Sequence, residues 1–306
     1  MRRITPARLP ETLAFLMRRR ALSRLGTIGA LAMSQNIHAK SVNTRPPRIV
    51  SVGGALTEIV YALEAQSCLV GVDSTSSFPH QAKLLPQVGY ARRLSAEGVL
   101  ALSPTSVLAT EEAGPAEVLR QLSNVGVPVD VMDSGYRFEG LVQRIARIGR
   151  LLSCEAKAVA LIERLSLEWS EICLSVSHHS TVRPRVLFLF AHSTSRLIAA
   201  GTQTGAHAMI EYAGAINATS GFTGFKPLTP ESMIAARPDV ILLTEHSFQT
   251  FGDLSSLLKL PGLSQTPAGR SQRIAVMDAS LLLGFGPRLP IAVQQLSEQF
   301  RTPVIA

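Results

Sequence analysis

Short apolar runs alternate with apolar positions at helical spacing in the part of the chain that begins at Arg48. Residues 48–52, R-I-V-S-V, predict a strand, and the apolar residues at positions 56, 59, 60 and 63 have the spacing of a helix. Further strands are predicted at residues 69–72, 105–109 and 128–132, with a helix at residues 115–125. Because strands that alternate with helices form parallel sheets covered on both faces, this part predicts an α/β lobe.

A long helical segment follows. Residues 138–176 contain no proline and only two glycines, Gly140 and Gly149, and apolar residues recur at helical spacing from Leu141 to Trp169. The pattern predicts one helix of about 30 residues or more, which is long for a globular protein. Such a helix would be a rigid strut between two lobes. The alternative is two helices broken near Gly149 or Ser153.

A second α/β block follows the strut. Strands are predicted at residues 185–190, 240–243 and 273–277, and helices at 205–212, 230–236, 254–258 and from Pro290 onward. The whole pattern predicts an α/β fold of two Rossmann-like parallel-sheet lobes joined by one long helix, with the ligand cleft between the lobes. The expected boundaries are 47–137 for the first lobe, 138–176 for the connecting helix and 182–306 for the second lobe. In open α/β sheets the cleft lies beyond the carboxyl ends of the strands.

The first 46 residues have the pattern of an export signal. They contain nine Lys or Arg against one acid, Glu11. The basic run M-R-R-R-A-L-S-R at residues 17–24 precedes the apolar run L-G-T-I-G-A-L-A-M, which is typical of a signal peptide. We expect a signal peptide over residues 1–39 and a periplasmic mature protein. Met1 or Met17 as the start, and general or twin-arginine export, remain open alternatives.

The charge balance changes once this leader is set aside. The chain has 30 basic and 22 acidic residues, and removing residues 1–46 leaves 21 of each. No basic field remains to indicate a nucleic-acid partner. The three cysteines, Cys68, Cys154 and Cys173, have no metal or redox spacing, so we expect free thiols. No G-x-S-x-G or H-E-x-x-H motif is present, which argues against an exported hydrolase. We therefore expect a monomeric protein that is not an enzyme.

Residues 88–100, V-G-Y-A-R-R-L-S-A-E-G-V-L, contain the chemistry that most clearly suggests a function. Ser95 can cap the helix that follows, so Tyr90 is expected on a loop held by a fixed element. Arg92 and Arg93 beside Tyr90 favour the ionised phenolate, which is a hard oxygen ligand suited to ferric iron. The plain alternative is a half-buried loop tyrosine with two solvated arginines.

Two adjacent segments resemble a known family. Residues 71–79, G-V-D-S-T-S-S-F-P, and residues 85–104, L-P-Q-V-G-Y-A-R-R-L-S-A-E-G-V-L-A-L-S-P, resemble the periplasmic haem-binding proteins that feed ABC importers in Gram-negative bacteria. The resemblance implies that Tyr90 is the axial ligand of haem iron and that Arg92 lies near a propionate. It also implies that haem b is the transported ligand. The implied partners are an inner-membrane ABC permease and ATPase and an outer-membrane haem receptor upstream.

The second lobe contains two further segments that resemble this family, at residues 221–231 and 282–288. The resemblance suggests apolar surfaces for a porphyrin face and cations for its propionates. The residues in question are Phe222, Phe225 and Phe285 for the porphyrin face, with Lys226 and Arg288, together with Arg93 of the first lobe, as the cations.

Two histidines and two glutamates complete the candidate set. His192 directly follows a predicted strand, and the resemblance implies a second axial ligand or a ligand of a second haem; a rim histidine is the alternative. His246 ends another predicted strand and is a further candidate. Glu97 and Glu231, one in each lobe, match glutamates that meet permease arginines in the related cobalamin-binding protein. Alternatively, each glutamate only complements a helix dipole.

The chemistry of Tyr90 also separates the competing cargoes. The same fold binds cobalamin or ferric siderophores, and either is the alternative cargo here. A siderophore already fills the coordination shell of iron and has no use for a tyrosinate. The sequence therefore favours a periplasmic protein that captures haem and delivers it to an ABC importer.

Overall fold

The structure is a computed structural model, and it describes residues 46–133, 135–179, 183–193 and 196–301. The side chains of His179 and His192 are not described, although the backbone of each belongs to a regular element. The predicted signal peptide at residues 1–39 lies outside the described residues. No described helix combines the length and apolarity needed to cross a membrane.

The first lobe contains a four-stranded parallel sheet, as its pattern predicts, in the order Leu69–Val72, Ile49–Val52, Ser106–Thr110 and Val129–Met132. Ile49 packs with the helix on one face, whereas Val50 packs in the cluster that contains Leu122 on the other face. Both faces of the sheet are therefore covered. The elements in chain order are β1 (Ile49–Val52), α1 (Gly54–Ala62), β2 (Leu69–Val72), β3 (Gly89–Tyr90), β4 (Arg93–Leu94), α2 (Ala96–Leu100), β5 (Ser106–Thr110), α3 (Ala116–Asn124) and β6 (Val129–Met132).

Two helices, and not one, occupy the predicted connecting segment. They are α4 (Phe138–Leu151) and α5 (Glu155–His179), so the long helix begins 17 residues later than predicted. Ser153 has a left-handed φ of 53°, which ends helical geometry at this point. The two helices pack so closely that a Cβ on Gly149 would lie 2.5 Å from the Cβ of Ala158. Helix α5, with 25 residues, is the long helix that leads to the second lobe.

The second lobe contains a mixed sheet, which corrects the prediction of a parallel one. Its order is β10–β8–β7–β11–β12; β7, β11 and β12 are parallel, whereas β8 and β10 are antiparallel to their neighbours. The elements are β7 (Arg185–Ser193), β8 (Arg196–Ala200), α6 (Gly205–Tyr212), β9 (Ile216–Asn217), β10 (Phe225–Pro227), α7 (Pro230–Ala236), β11 (Val240–Thr244), α8 (Glu245–Gln249), α9 (Leu254–Leu258), α10 (Pro267–Arg270), β12 (Ile274–Met277), α11 (Ala279–Leu283) and α12 (Leu289–Arg301).

The two lobes meet through a buried ion pair. Glu58 of α1 is 5% exposed and accepts hydrogen bonds from Nε and Nη2 of Arg288, at 3.0 and 2.5 Å. Ser77 also donates to Ser280 across the same junction at 3.3 Å. The pKa of Glu58 lies above its ordinary value, mainly because burial disfavours the charged form, although Arg288 opposes the shift. The buried carboxylate of Glu58 therefore depends on Arg288 for its neutralisation.

We expect Arg288→Ala to lower the free energy of unfolding by about 3–5 kcal/mol at pH 7, because it leaves a buried carboxylate without its cation. A carboxyl group with a raised folded pKa contributes stability that is present below about pH 4.5 and lost as pH rises toward that folded pKa. Arg288 opposes that rise, so its removal makes the loss larger. The variant should therefore be closer to wild type at pH 4.5 than at pH 7 in urea titrations.

The control is Arg120→Ala, which breaks the exposed pair with Glu117. This substitution should lower the free energy of unfolding by no more than about 1 kcal/mol. An Arg288→Ala cost that is equally small, or that does not change with pH, would contradict the role given to the buried pair.

Candidate functional site

Tyr90 ends strand β3 of a two-stranded hairpin. It pairs with Arg93 of β4, and the two-residue loop between them consists of Ala91 and Arg92. Ala91 and Leu94 are buried and anchor the hairpin, whereas Tyr90 is 44% exposed. Directly opposed residues of antiparallel strands place their side chains on one face, so Arg93 lies beside Tyr90. The hairpin thus presents a phenol and a cation together to solvent.

The loop after β2 is organised by Asp73, a carboxylate with no exposed surface. Asp73 accepts hydrogen bonds from the N–H of Gly53 at 2.8 Å, from the N–H and hydroxyl of Thr75 at 2.9 and 2.7 Å, and from the hydroxyl of Ser76 at 2.9 Å. Four donors satisfy a buried charge that would otherwise be strongly unfavourable. They also fix the loops that follow β1 and β2 to each other.

The Tyr90 hairpin is hydrogen-bonded to the loop after β2 and to the loop after β5. The N–H of Ser74 donates to the carbonyl of Gly89 at 2.8 Å. On its other side, Leu94 donates to the carbonyl of Gly114, and Gly114 donates to the carbonyl of Ala91, both at 2.9 Å. The backbone that holds Tyr90 is therefore fixed from both the β2 and the β5 loops.

Arg92 forms an ion pair with Glu112 of the loop after β5. The other oxygen of Glu112 accepts a hydrogen bond of 3.1 Å from the hydroxyl of Tyr136, which lies in the loop after β6. The pKa of Arg92 lies above its ordinary value, first because Glu112 accepts its hydrogen bond, with further contributions from the nearby hydroxyl groups of Tyr90 and Tyr136. Arg92, Glu112 and Tyr136 thus form a single cluster beside the hairpin position of Tyr90.

Sequence reasoning did not identify Glu112 or Tyr136. Both follow strands of the parallel sheet, two residues after the end of β5 and four after the end of β6. The rule that sites form beyond the carboxyl ends of parallel strands is a signal that would have included them. Neither belongs to the motif around Tyr90, which is why the motif alone did not indicate them.

Tyr136 also contacts the second lobe. Its ring centroid lies 5.4 Å from that of Phe285, and a Cβ on Gly205 would lie 3.3 Å from the Tyr136 ring. Phe285 is only 2% exposed, and its carbonyl accepts a hydrogen bond from the buried Arg144 at 2.7 Å. The ring of Phe285 belongs to the core between the lobes, and its role as a porphyrin surface stays a prediction.

Arg288 likewise differs from its predicted role. Its guanidinium is paired with buried Glu58 and lies 3.8 Å from the ring centroid of Phe78. A cation held by a buried carboxylate is not free to neutralise a ligand, because leaving Glu58 alone would strand a buried charge. Arg288 is an interlobe residue.

The remaining second-lobe candidates lie on and beside the edge strand β10. Phe225 is 54% exposed, and Lys226 is also exposed. Nζ of Lys226 lies 5.1 Å from the ring centroid of Phe222, within cation–π range. These residues together offer an apolar surface with a cation above it.

The two candidate histidines differ in position. The backbone of His192 belongs to β7, one residue before its end, and not to a loop after the strand as predicted. Its side chain lies outside the described part of the chain. His246 is exposed and is the second residue of α8, which begins directly after β11.

Glu97 and Glu231 are both exposed, in the first turns of α2 and α7. Ser95 and Thr229 cap these two helices by accepting backbone N–H groups. The pKa of Glu231 lies below its ordinary value, first because of a hydrogen bond from its own backbone and then because of one from Thr229. Neither glutamate belongs to an ion pair formed by described residues.

The sequence profile of the family described as periplasmic binding protein matches residues 49–281, which include most of both lobes. The chain belongs to the periplasmic binding protein family. It is therefore a substrate-binding protein and not an enzyme, as predicted.

Solved structures of family members align with nearly the whole folded part. Periplasmic heme-binding protein BhuT, in complex with two hemes, is 41% identical with a TM-score of 0.80, over 83% of this chain and 97% of that chain. Periplasmic heme-binding protein RhuT from Roseiflexus sp. RS-1, in apo form, is 40% identical with a TM-score of 0.80, over 84% of this chain and 98% of that chain. The predicted resemblance and the two-lobed α/β fold are confirmed.

Another family member has a different cargo. The vitamin B12-binding protein of Vibrio vulnificus (strain CMCP6) is 24% identical over 262 residues, which are 83% of this chain and 89% of that protein. Membership of the family therefore does not by itself identify the ligand, and the residues of the site must do so.

Proposed function

We propose that this chain is a periplasmic protein that captures haem and delivers it to an inner-membrane ABC importer. The observation that supports this most directly is the 44% exposed Tyr90, which lies on a fixed hairpin beside Arg92 and Arg93. An ionised phenol is a suitable ligand for ferric haem iron, and the guanidinium groups suit propionates. BhuT and RhuT, at 41% and 40% identity, support the same cargo.

The second lobe contributes the opposite wall in this proposal. Phe222 and Phe225 provide apolar surface for the porphyrin, and Lys226 provides a cation for a propionate. Haem b is the transported substrate. Residues 1–39 act as the export signal, and an outer-membrane haem receptor supplies the periplasm. We propose that the protein acts as a monomer.

Cobalamin is the second candidate cargo, because vitamin B12-binding proteins are among the relatives. A ferric siderophore is a further alternative within the same fold. A titration with hemin, cyanocobalamin and a ferric siderophore in parallel separates these cargoes, since only hemin should gain a tyrosinate ligand. Tight binding of either competitor without hemin binding would overturn the haem proposal.

Tyr90→Phe should remove the tyrosinate-to-iron charge-transfer absorption and weaken hemin binding by about tenfold or more, since it removes the iron ligand and leaves the ring. The measurement is an absorption titration with hemin. Tyr61→Phe, in helix α1, is the matched control and should leave the spectrum unchanged. An unchanged spectrum in Tyr90→Phe would show that another residue binds the iron.

We further propose that Glu97 and Glu231 contact arginines of the permease, one from each lobe. The double variant Glu97→Ala with Glu231→Ala should bind hemin normally but fail to deliver it to the membrane complex in reconstituted vesicles, because it lacks both charged contacts. Glu117→Ala is the control, since Glu117 is an exposed first-turn glutamate of α3. Normal delivery by the double variant would leave these glutamates as helix-dipole residues only.

The number of haems depends on His192 in this proposal. We favour one five-coordinate haem, with His192 held away from iron by the non-glycine sequence Ser193, Thr194 and Ser195. The alternative is that two haems bind, as in the structure of BhuT in complex with two hemes. A hemin titration with electron paramagnetic resonance should give a high-spin signal and one equivalent in both wild type and His192→Ala. A low-spin signal, or a second equivalent that disappears with His192, would support the histidine as a ligand.

A further inference from the structure

The cation proposed to meet a haem propionate already holds a carboxylate of the protein. Arg92 is paired with Glu112, and the two side chains are 55% and 39% exposed. A glutamate side chain and a propionate present the same chemical group to a guanidinium. Glu112 therefore occupies a position on Arg92 that a carboxylate ligand could take.

The partners of Glu112 make an exchange of carboxylates feasible. Its two oxygens have separate donors. Oε2 accepts a hydrogen bond from Arg92, and Oε1 accepts one of 3.1 Å from the hydroxyl of Tyr136. If Arg92 turned to another carboxylate, Glu112 would keep Tyr136 and its contact with water. Because the charge would not be stranded, the exchange avoids the penalty that applies to buried pairs.

Tyr136 fixes the place of the carboxylate after such an exchange. Its ring packs 5.4 Å from Phe285, which is a core residue of the second lobe. Tyr136 can therefore hold Glu112 within reach of Arg92 while Arg92 is engaged elsewhere. The pair of Arg288 with Glu58 differs in this respect. Glu58 is only 5% exposed, so breaking the pair would leave its buried carboxylate without a cation.

We propose that Glu112 is an internal competitor of the haem propionate for Arg92. It is displaced when haem binds and returns when haem leaves, so it lowers the affinity and speeds release to the importer. This inference rests on the proposed function. It assigns to Glu112 a role that acts through Arg92, without contact between Glu112 and the iron.

The test is the rate of hemin release to an excess of a haem-scavenging apoprotein. Glu112→Gln keeps the side-chain size and an oxygen acceptor for Tyr136 but removes the competing charge. Release should be about two- to fivefold slower than from wild type, which is the range that one exposed ion pair can supply. Glu117→Gln removes an exposed carboxylate from a different ion pair, the one with Arg120, and should release hemin at the wild-type rate.

Two further measurements separate competition for Arg92 from simple repulsion between charges. In an Arg92→Gln background, adding Glu112→Gln should no longer slow release, because the contested cation is gone. With the dimethyl ester of hemin, Glu112→Gln should also have no effect, because the ester has no carboxylate. Slower release that persists in either case would overturn the competition and leave only general repulsion.

The outcomes also separate this inference from the proposed function. If wild type binds hemin and Glu112→Gln releases it at the wild-type rate or faster, the competition is wrong while the haem function stands. If wild type does not bind hemin, both are wrong.

Discussion

The buried carboxylate of Asp73 is the constraint on which the site depends. A charge with no exposed surface must be fully hydrogen-bonded, and Asp73 satisfies this requirement by drawing the loops after β1 and β2 together. The neighbouring Ser74 then bonds to Gly89, which fixes the hairpin of Tyr90. A ligand residue on a backbone fixed in this way loses little conformational freedom on binding, so more of its interaction energy is available as affinity.

The local patterns of the sequence predicted what local interactions determine. Apolar periodicity identified the four strands of the parallel first-lobe sheet, but not β3 and β4, which were expected to be a loop. The short motif still placed Tyr90 beside Arg92 and Arg93, because all three belong to one hairpin. The same patterns failed where one residue's conformation decides the outcome. The left-handed Ser153 divides the predicted strut where the two-helix alternative placed the break, although the apolar stripe by itself favours one continuous helix. Strand β10 has only three residues, and β8 and β10 both lie next to glycines; neither strand was predicted, so the mixed order of the second sheet was missed as well.

The sequence could not identify the partners of candidate site residues where those partners are distant in the chain. Arg288 has the composition and setting of a ligand-binding cation, but its partner Glu58 is 230 residues away. Phe285 has the character of a stacking surface, yet Tyr136 and Gly205 enclose it. Residue type shows what a side chain can do, whereas its charge partners and its exposure decide whether it is available. Glu112 and Tyr136 belong to the candidate site for the same reason. Both follow strands of the parallel sheet, and the topology of that sheet places them near Arg92.

The contrast between the two arginine pairs bears on how cargo leaves the cleft. The Glu58–Arg288 pair is buried between the lobes and is reinforced by Ser77 with Ser280, so separating the lobes would break a buried charge pair. That barrier argues against spontaneous opening as the route of release. The Arg92–Glu112 pair is half exposed and can be rearranged at little cost. In the proposed function, exchange at Arg92 therefore needs no separation of the lobes, whereas opening the lobes requires free energy that contact with the proposed transporter would supply.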